Sequence, residues 1–335
     1  MSIHPISFSI PSLKWEKYRE LRTQSKKSTY FSKLIPKITK YSHFDEGEYI
    51  QDYSKSYFAI TFRKGGWESL RHYEILMAGT LPYFLQVDEI PEGALCSFPI
   101  ELLKKVHKLP GMPSQEDVIN NIRKTFMIKI DKEHFDKKKY FDLRKEFLIF
   151  VNQNMLSKHI VKSVLDISSS NKLSPLPEKF DTILVSSHRR FGKQDYQRDL
   201  LCVGILELGY KLHTSFDISY LFEGSKKETE LYGRGFTYGK SVPDNLKKNW
   251  CKVNLFGTHE EPVVILTTKS NTPDFPIANY TGTKIFVDGN DDIKSISKRM
   301  SPDGISCIFY RENRSIYESH DSEERELILK TLENL

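Results

Sequence analysis

With 335 residues, 39% of them aliphatic or aromatic, the chain has too much apolar material for a disordered protein and enough length for two globular domains. Its 50 basic residues exceed its 44 acidic ones by a net charge of +6, which suits anionic ligands and argues against a dedicated nucleic-acid binder. The four cysteines, Cys96, Cys202, Cys251 and Cys307, are far apart and form no CxxC pair, so a reducing compartment and no structural metal are expected.

The opening "MSIHPISFSIPSLKW" lacks a basic segment followed by a long apolar one, and no signal peptide is expected. No run approaches the ~18 uninterrupted apolar residues of a spanning helix. A cytoplasmic location is expected, with any membrane contact peripheral.

Strand-like runs "ISFSI", "YFAITF" and "LPYFLQV" alternate with helical ones up to about Leu109, the composition of an α/β unit, and "KLPGMPSQ" closes it with turn residues. Residues 138–166 place Phe147, Val151, Met155, Ile160 and Val164 near helical spacing, predicting one long amphipathic helix or two abutting ones. The triplet "KKK" at Lys137, Lys138 and Lys139 reads as a solvated helix start that could also meet anionic lipid.

A Ser- and Pro-rich stretch, 167–180, is expected to link 1–166 to a second α/β unit, 181–335. "DTILVSS" opens that unit as a strand, a helix follows from about Tyr196 to Leu208, and Gly209 suits its C-terminal cap. Further strands are predicted at "PVVILTTK", "TKIFVDG" and "GISCIFYR".

The densest chemistry lies in 62–84, "FRKGGWESLRHYEILMAGTLPYF". A strand, a turn at Arg63, Lys64, Gly65 and Gly66, a helix ending at Gly79 and another strand are predicted. Paired glycines let the main chain approach a ligand, and a helix start offers N–H groups to an anion, so the turn suits a phosphate. Arg71 and Glu74, three apart on one helix face, could present a cation and a carboxylate to the same ligand. The carboxylate would accept hydrogen bonds from a ribose diol while Arg71 or Lys64 meets phosphate oxygens. Spacing alone equally allows a solvated ion pair behind an ordinary turn. Trp67, Tyr73 and Tyr83 could stack on a base or sugar, though aromatics at such spacing are expected in the core, and His72 either reaches the ligand side or packs the helix.

This run resembles the exostosin-type glycosyltransferase signature, in which Arg-x-x-Glu is followed by a small residue and Gly-x-x-Pro before a strand. Here these are Arg71, Glu74, Ala78, Gly79 and Pro82. Residues 58–84, with "FSIPSLKW" upstream, are similar to a group of microbial and viral exostosin-like proteins. The resemblance implies a GT-B-like α/β fold, with two Rossmann-like domains facing a cleft, and a nucleotide-sugar donor as co-substrate without any further cofactor. It assigns Glu74 to the donor ribose, and Lys64, Gly65, Gly66 and Arg71 to its phosphates. It also implies a glycan or glycolipid acceptor of the cell surface. "FDTILVSSHRRF", "KIFVDGNDD" and "CIFYREN" resemble segments that precede the signature in that group, so the donor and acceptor halves stand here in exchanged order.

In open α/β sheets ligands bind beyond the C-terminal strand ends, where His188, Arg189 and Arg190 follow "TILVSS" and Asp288, Asp291 and Asp292 follow "TKIFV". An inverting transferase needs a general base to deprotonate a sugar hydroxyl, and His188 and Asp288 are the candidates, with Arg189 as a further cleft residue. Each also fits an ordinary polar loop. "DGNDD" has the wrong spacing for the Asp-x-Asp of metal-dependent transferases, so metal independence is expected. A non-catalytic nucleotide or nucleic-acid binding module is the competing function.

Overall fold

The computed structural model describes residues 2–35, 45–64, 66–171, 175–187, 195–225, 236–254, 257–268, 280–289 and 305–312. In chain order the first elements are β1 (Ser2–Pro5), α1 (Ser12–Lys17), α2 (Arg19–Gln24), β2 (Thr29–Phe31), α3 (Glu46–Ser54), β3 (Ser56–Thr61), α4 (Leu70–Met77) and β4 (Leu81–Phe84). Next come α5 (Ile100–His107), α6 (Gln115–Asn120), α7 (Lys137–Phe150) and α8 (Ser157–Ser169). The remainder is β5 (Thr182–Ser187), α9 (Tyr196–Glu207), β6 (Lys211–Thr214), β7 (Trp250–Lys252), β8 (Val263–Thr268), β9 (Thr283–Asp288) and β10 (Ile305–Tyr310).

Two compact units emerge. One draws its described residues from Met1–Trp15, Glu92–Ser97 and Asn154–Ser315, the other from Glu16–Pro91 and Phe98–Gln153. This division differs from the expected 1–166, 167–180 and 181–335. Strand β1 pairs in parallel with β10, Ser2 opposite Cys307 and His4 opposite Phe309, so the N-terminal segment belongs with the far end of the chain. Helix α8 runs through Ser169 into the expected linker and packs on α9.

The larger unit is a seven-stranded sheet in the order β1-β10-β9-β8-β5-β6-β7, every neighbouring pair parallel. Counted from β5, this is the 3-2-1-4-5-6 order of the Rossmann fold, extended by β1 on one edge. Central strands of such a sheet are covered on both faces, which explains the nearly unbroken apolar runs of β5 and β8. Ile183, Leu184, Val185, Val263, Val264, Ile265 and Leu266 are all fully enclosed. Helix α9 lies so close to α8 that a Cβ on Gly204 would stand 2.5 Å from the Ser157 carbonyl oxygen, so glycine is required there.

The smaller unit has a parallel three-stranded sheet, β2-β3-β4, with an aromatic core that includes Phe31, Phe58, Tyr83, Tyr140 and Phe147. Helix α4 ends at Gly79, whose φ of +69° is the left-handed conformation that closes a helix. Three basic side chains gather at this helix end, where unpaired carbonyls concentrate negative charge. Lys27 Nζ and Arg144 Nε donate to the Gly79 carbonyl at 3.0 and 2.6 Å, and Arg22 donates to Met77 O at 3.4 Å.

The long helical stretch of 138–166 resolves into α7 and α8 separated by a π-helical turn, Val151–Met155. "ISFSI" is not a strand; Ile10 alone forms a bridge, to Leu156. No described helix is long and apolar enough to cross a membrane.

Candidate functional site

The passage from β3 through α4 to β4 carries the signature residues. Lys64 is exposed in the turn and its N–H bonds the Gly66 carbonyl at 3.0 Å, while Gly65 lies outside the described residues. Arg63 stacks over the Trp67 ring at 5.8 Å. Glu68, just before the N-cap Ser69, accepts from the Tyr73 hydroxyl at 3.0 Å, so an anion held at this helix start would share it with a carboxylate.

Arg71 and Glu74 do share a face of α4, but they are not a solvated pair: they are 7% and 3% exposed. Helix α3 covers them with two tyrosines one turn apart. Tyr49 donates to Glu74 Oε2 at 2.8 Å, Arg71 donates to the Tyr53 oxygen at 3.0 Å, and the two phenols stand 3.4 Å apart. Burial pushes the Tyr53 phenol up, so it stays protonated and able to pass its hydrogen on. The result is a low-dielectric network of one cation, one anion and two neutral hydroxyls, in which each hydrogen bond to a charge is strengthened.

His72 takes the packing role. It is fully buried, and its Nε2 must donate to the Trp67 carbonyl at 2.9 Å, which leaves Nδ1 to accept from Thr61 Oγ1 at 2.8 Å. Burial lowers its pKa to about 3, so the imidazole is neutral and pins α4 to the end of β3. Trp67, Tyr73 and Tyr83 are core residues.

In the seven-stranded unit the strand order reverses between β5 and β8, the place where this topology opens a crevice beyond the strand ends. Neutral hydroxyls collect there. Ser186 Oγ lies 2.8 Å from the Tyr280 hydroxyl and 3.2 Å from Ser215 Oγ, which also accepts from the Ser187 N–H at 3.2 Å. Thr267 Oγ1 donates to the Ser186 carbonyl at 3.4 Å. The sequence signal for this cluster is the pair of serines, Ser186 and Ser187, that closes the β-branched run of β5; Ser215 carries none.

Helix α9 starts with a second cluster. Arg198 donates to the Tyr220 oxygen at 3.2 Å and stacks on Phe216 at 4.1 Å, while Tyr220 donates to Asp199. All three network residues are buried, and burial lifts the Asp199 carboxyl to about 7 despite the neighbouring Arg198. Two adjacent charges ahead of the apolar run "LLCVGIL" were the signal for this cluster.

Asp288 ends β9, opposite Tyr310 of β10, and is buried; its carbonyl accepts from the Arg311 N–H at 3.1 Å. His188, Arg189, Arg190, Asp291 and Asp292 lie outside the described residues. Compared with known proteins, the chain matches no family model, no curated protein and no solved structure.

Proposed function

We propose that the chain transfers a sugar from a nucleotide-activated donor to a glycan or glycolipid acceptor, as a GT-B-like protein whose donor half precedes its acceptor half. The observation that carries this reading is the Arg71–Tyr53–Tyr49–Glu74 network, which sits on the helix of the exostosin-like signature behind a glycine turn and an exposed lysine. A ribose diol placed at Glu74 would share a carboxylate already oriented by Tyr49, so little ordering remains to be done on binding. Lys64 and Arg71 supply positive charge for the diphosphate, the work that a divalent ion does in metal-dependent transferases, and activity should therefore survive EDTA.

The seven-stranded unit supports the acceptor role. Its strand order reverses beside Ser186, Ser187 and Ser215, where sheets of this topology bind ligands and hydroxyls can orient a sugar, and Asp288 would serve as the base from the end of β9, two strands from β5.

The test is thermal denaturation against a panel of nucleotide sugars, followed by mass spectrometry of products with glycan and glycolipid acceptors. One sugar nucleotide should raise the melting temperature selectively, since a ligand at a hundred times its Kd adds ~2.7 kcal/mol. Nucleotide binding without any transferred sugar would instead favour a non-catalytic module. No shift with any nucleotide sugar overturns the donor site.

A further inference from the structure

In the smaller unit, the 3₁₀ turn Thr125–Met127 holds two large apolar side chains out in water: Phe126 is 85% exposed and Met127 is 46% exposed. The turn is fixed, not loose. Met127 N–H bonds the Lys124 carbonyl at 2.8 Å, Ile128 N–H bonds the Thr125 carbonyl at 3.1 Å, and Lys124 N–H bonds the Asn121 carbonyl at 2.9 Å. Ile122, Ile128 and Ile130 are buried on either side and anchor the segment, so Phe126 and Met127 are the residues left pointing outward.

Arg123, Lys124 and Lys129 flank this tip and all three are exposed, with no acidic residue from Asn121 to Ile130 and the exposed Asp131 directly after it. Phe126 and Met127 would each gain by leaving water, and the surrounding cations would each gain from a negatively charged plane. A nucleic acid would satisfy the cations, but the Met127 thioether has no aromatic face to stack on a base. Acyl chains below a layer of anionic headgroups satisfy both features together.

We propose that this turn docks the protein on anionic lipid bilayers, Phe126 and Met127 entering the headgroup–acyl boundary while Arg123, Lys124 and Lys129 contact the headgroups. One weak signal gives only marginal attachment, and an apolar insertion joined to a basic patch holds a protein more firmly than either alone. The proposal stands on the turn itself and holds whether or not the chain transfers sugars.

The experiment is co-sedimentation of the full chain with vesicles of phosphatidylcholine alone or mixed with phosphatidylglycerol, at low and high salt. The chain should pellet with the anionic vesicles only, and less at high salt, because headgroup attraction is screened. Phe126→Ser with Met127→Ser, and separately Lys124→Glu with Lys129→Glu, should each weaken binding by about tenfold or more, with circular dichroism and melting temperature unchanged. Absence of pelleting at low salt overturns the proposal. So does full binding by the Phe126→Ser, Met127→Ser variant, which would mean charge adsorption alone. Displacement of the chain from vesicles by a single-stranded oligonucleotide, with both variants impaired in oligonucleotide binding, assigns the turn to nucleic acid and overturns it as well.

Discussion

Tyr49 donates its hydroxyl hydrogen to Glu74 at 2.8 Å, and one helical turn later Tyr53 accepts from Arg71 at 3.0 Å. Helix α3 thus presents two phenols in register with the cation and the anion of α4, which sets both charges at fixed positions in a mostly dry environment.

Glu74→Gln keeps the side-chain shape and removes the charge that strengthens its hydrogen bonds. Donor affinity should fall by about tenfold or more while the fold is retained, because hydrogen bonds to a charged acceptor are roughly twice as strong as neutral ones. Calorimetry with the sugar nucleotide found in the thermal screen decides this. Unchanged affinity would make the network purely structural.

Asp288→Asn should lower turnover by roughly 10²-fold and spare donor affinity, since a base acts on the acceptor in the transition state. Turnover and donor binding are measured side by side. Near-normal turnover removes Asp288 from the chemistry.

Lys27 sets a pH dependence. Burial, helped by the nearby Arg144, lowers its pKa from 10.5 to about 7, while its Nζ donates to Ser54 O at 2.9 Å and Gly79 O at 3.0 Å. The unfolded chain therefore binds more protons than the folded one between those two values. The contribution of Lys27 to stability must rise with pH across that window, and its burial penalty is fully present below it. Urea unfolding of the wild type and Lys27→Met should show the wild type gaining on the variant from about pH 7 to about pH 10. A difference that stays flat would mean Lys27 keeps an ordinary pKa.

Gly204→Ala tests the packing of α8 on α9. The added Cβ would meet the Ser157 carbonyl oxygen at 2.5 Å, a backbone atom that moves only if the helices part. Overpacking of this kind costs about 1–3 kcal/mol. Denaturant melts should report that loss, and a variant as stable as the wild type would show that the helix pair opens freely.

Periodicity and punctuation in the chain determined its local elements. The β-branched runs of β5, β8, β9 and β10 read as strands because a doubly covered sheet needs them apolar throughout, and α4 stops at Gly79 because a left-handed residue favours glycine. Shared faces were equally legible, hence Arg71 beside Glu74. Only the tertiary structure decided what covers those faces. The short strands β6 and β7, "KLHT" and "WCK", carry no pattern of their own and exist through their parallel neighbours, as does β1 against β10. Likewise Tyr49 and Tyr53 reach Glu74 and Arg71 from a separate helix. Hydrophobic spacing reports which side of an element leaves water, a local property. Partners distant in the chain are selected by packing and by the need to satisfy buried charge, which only the folded chain brings together.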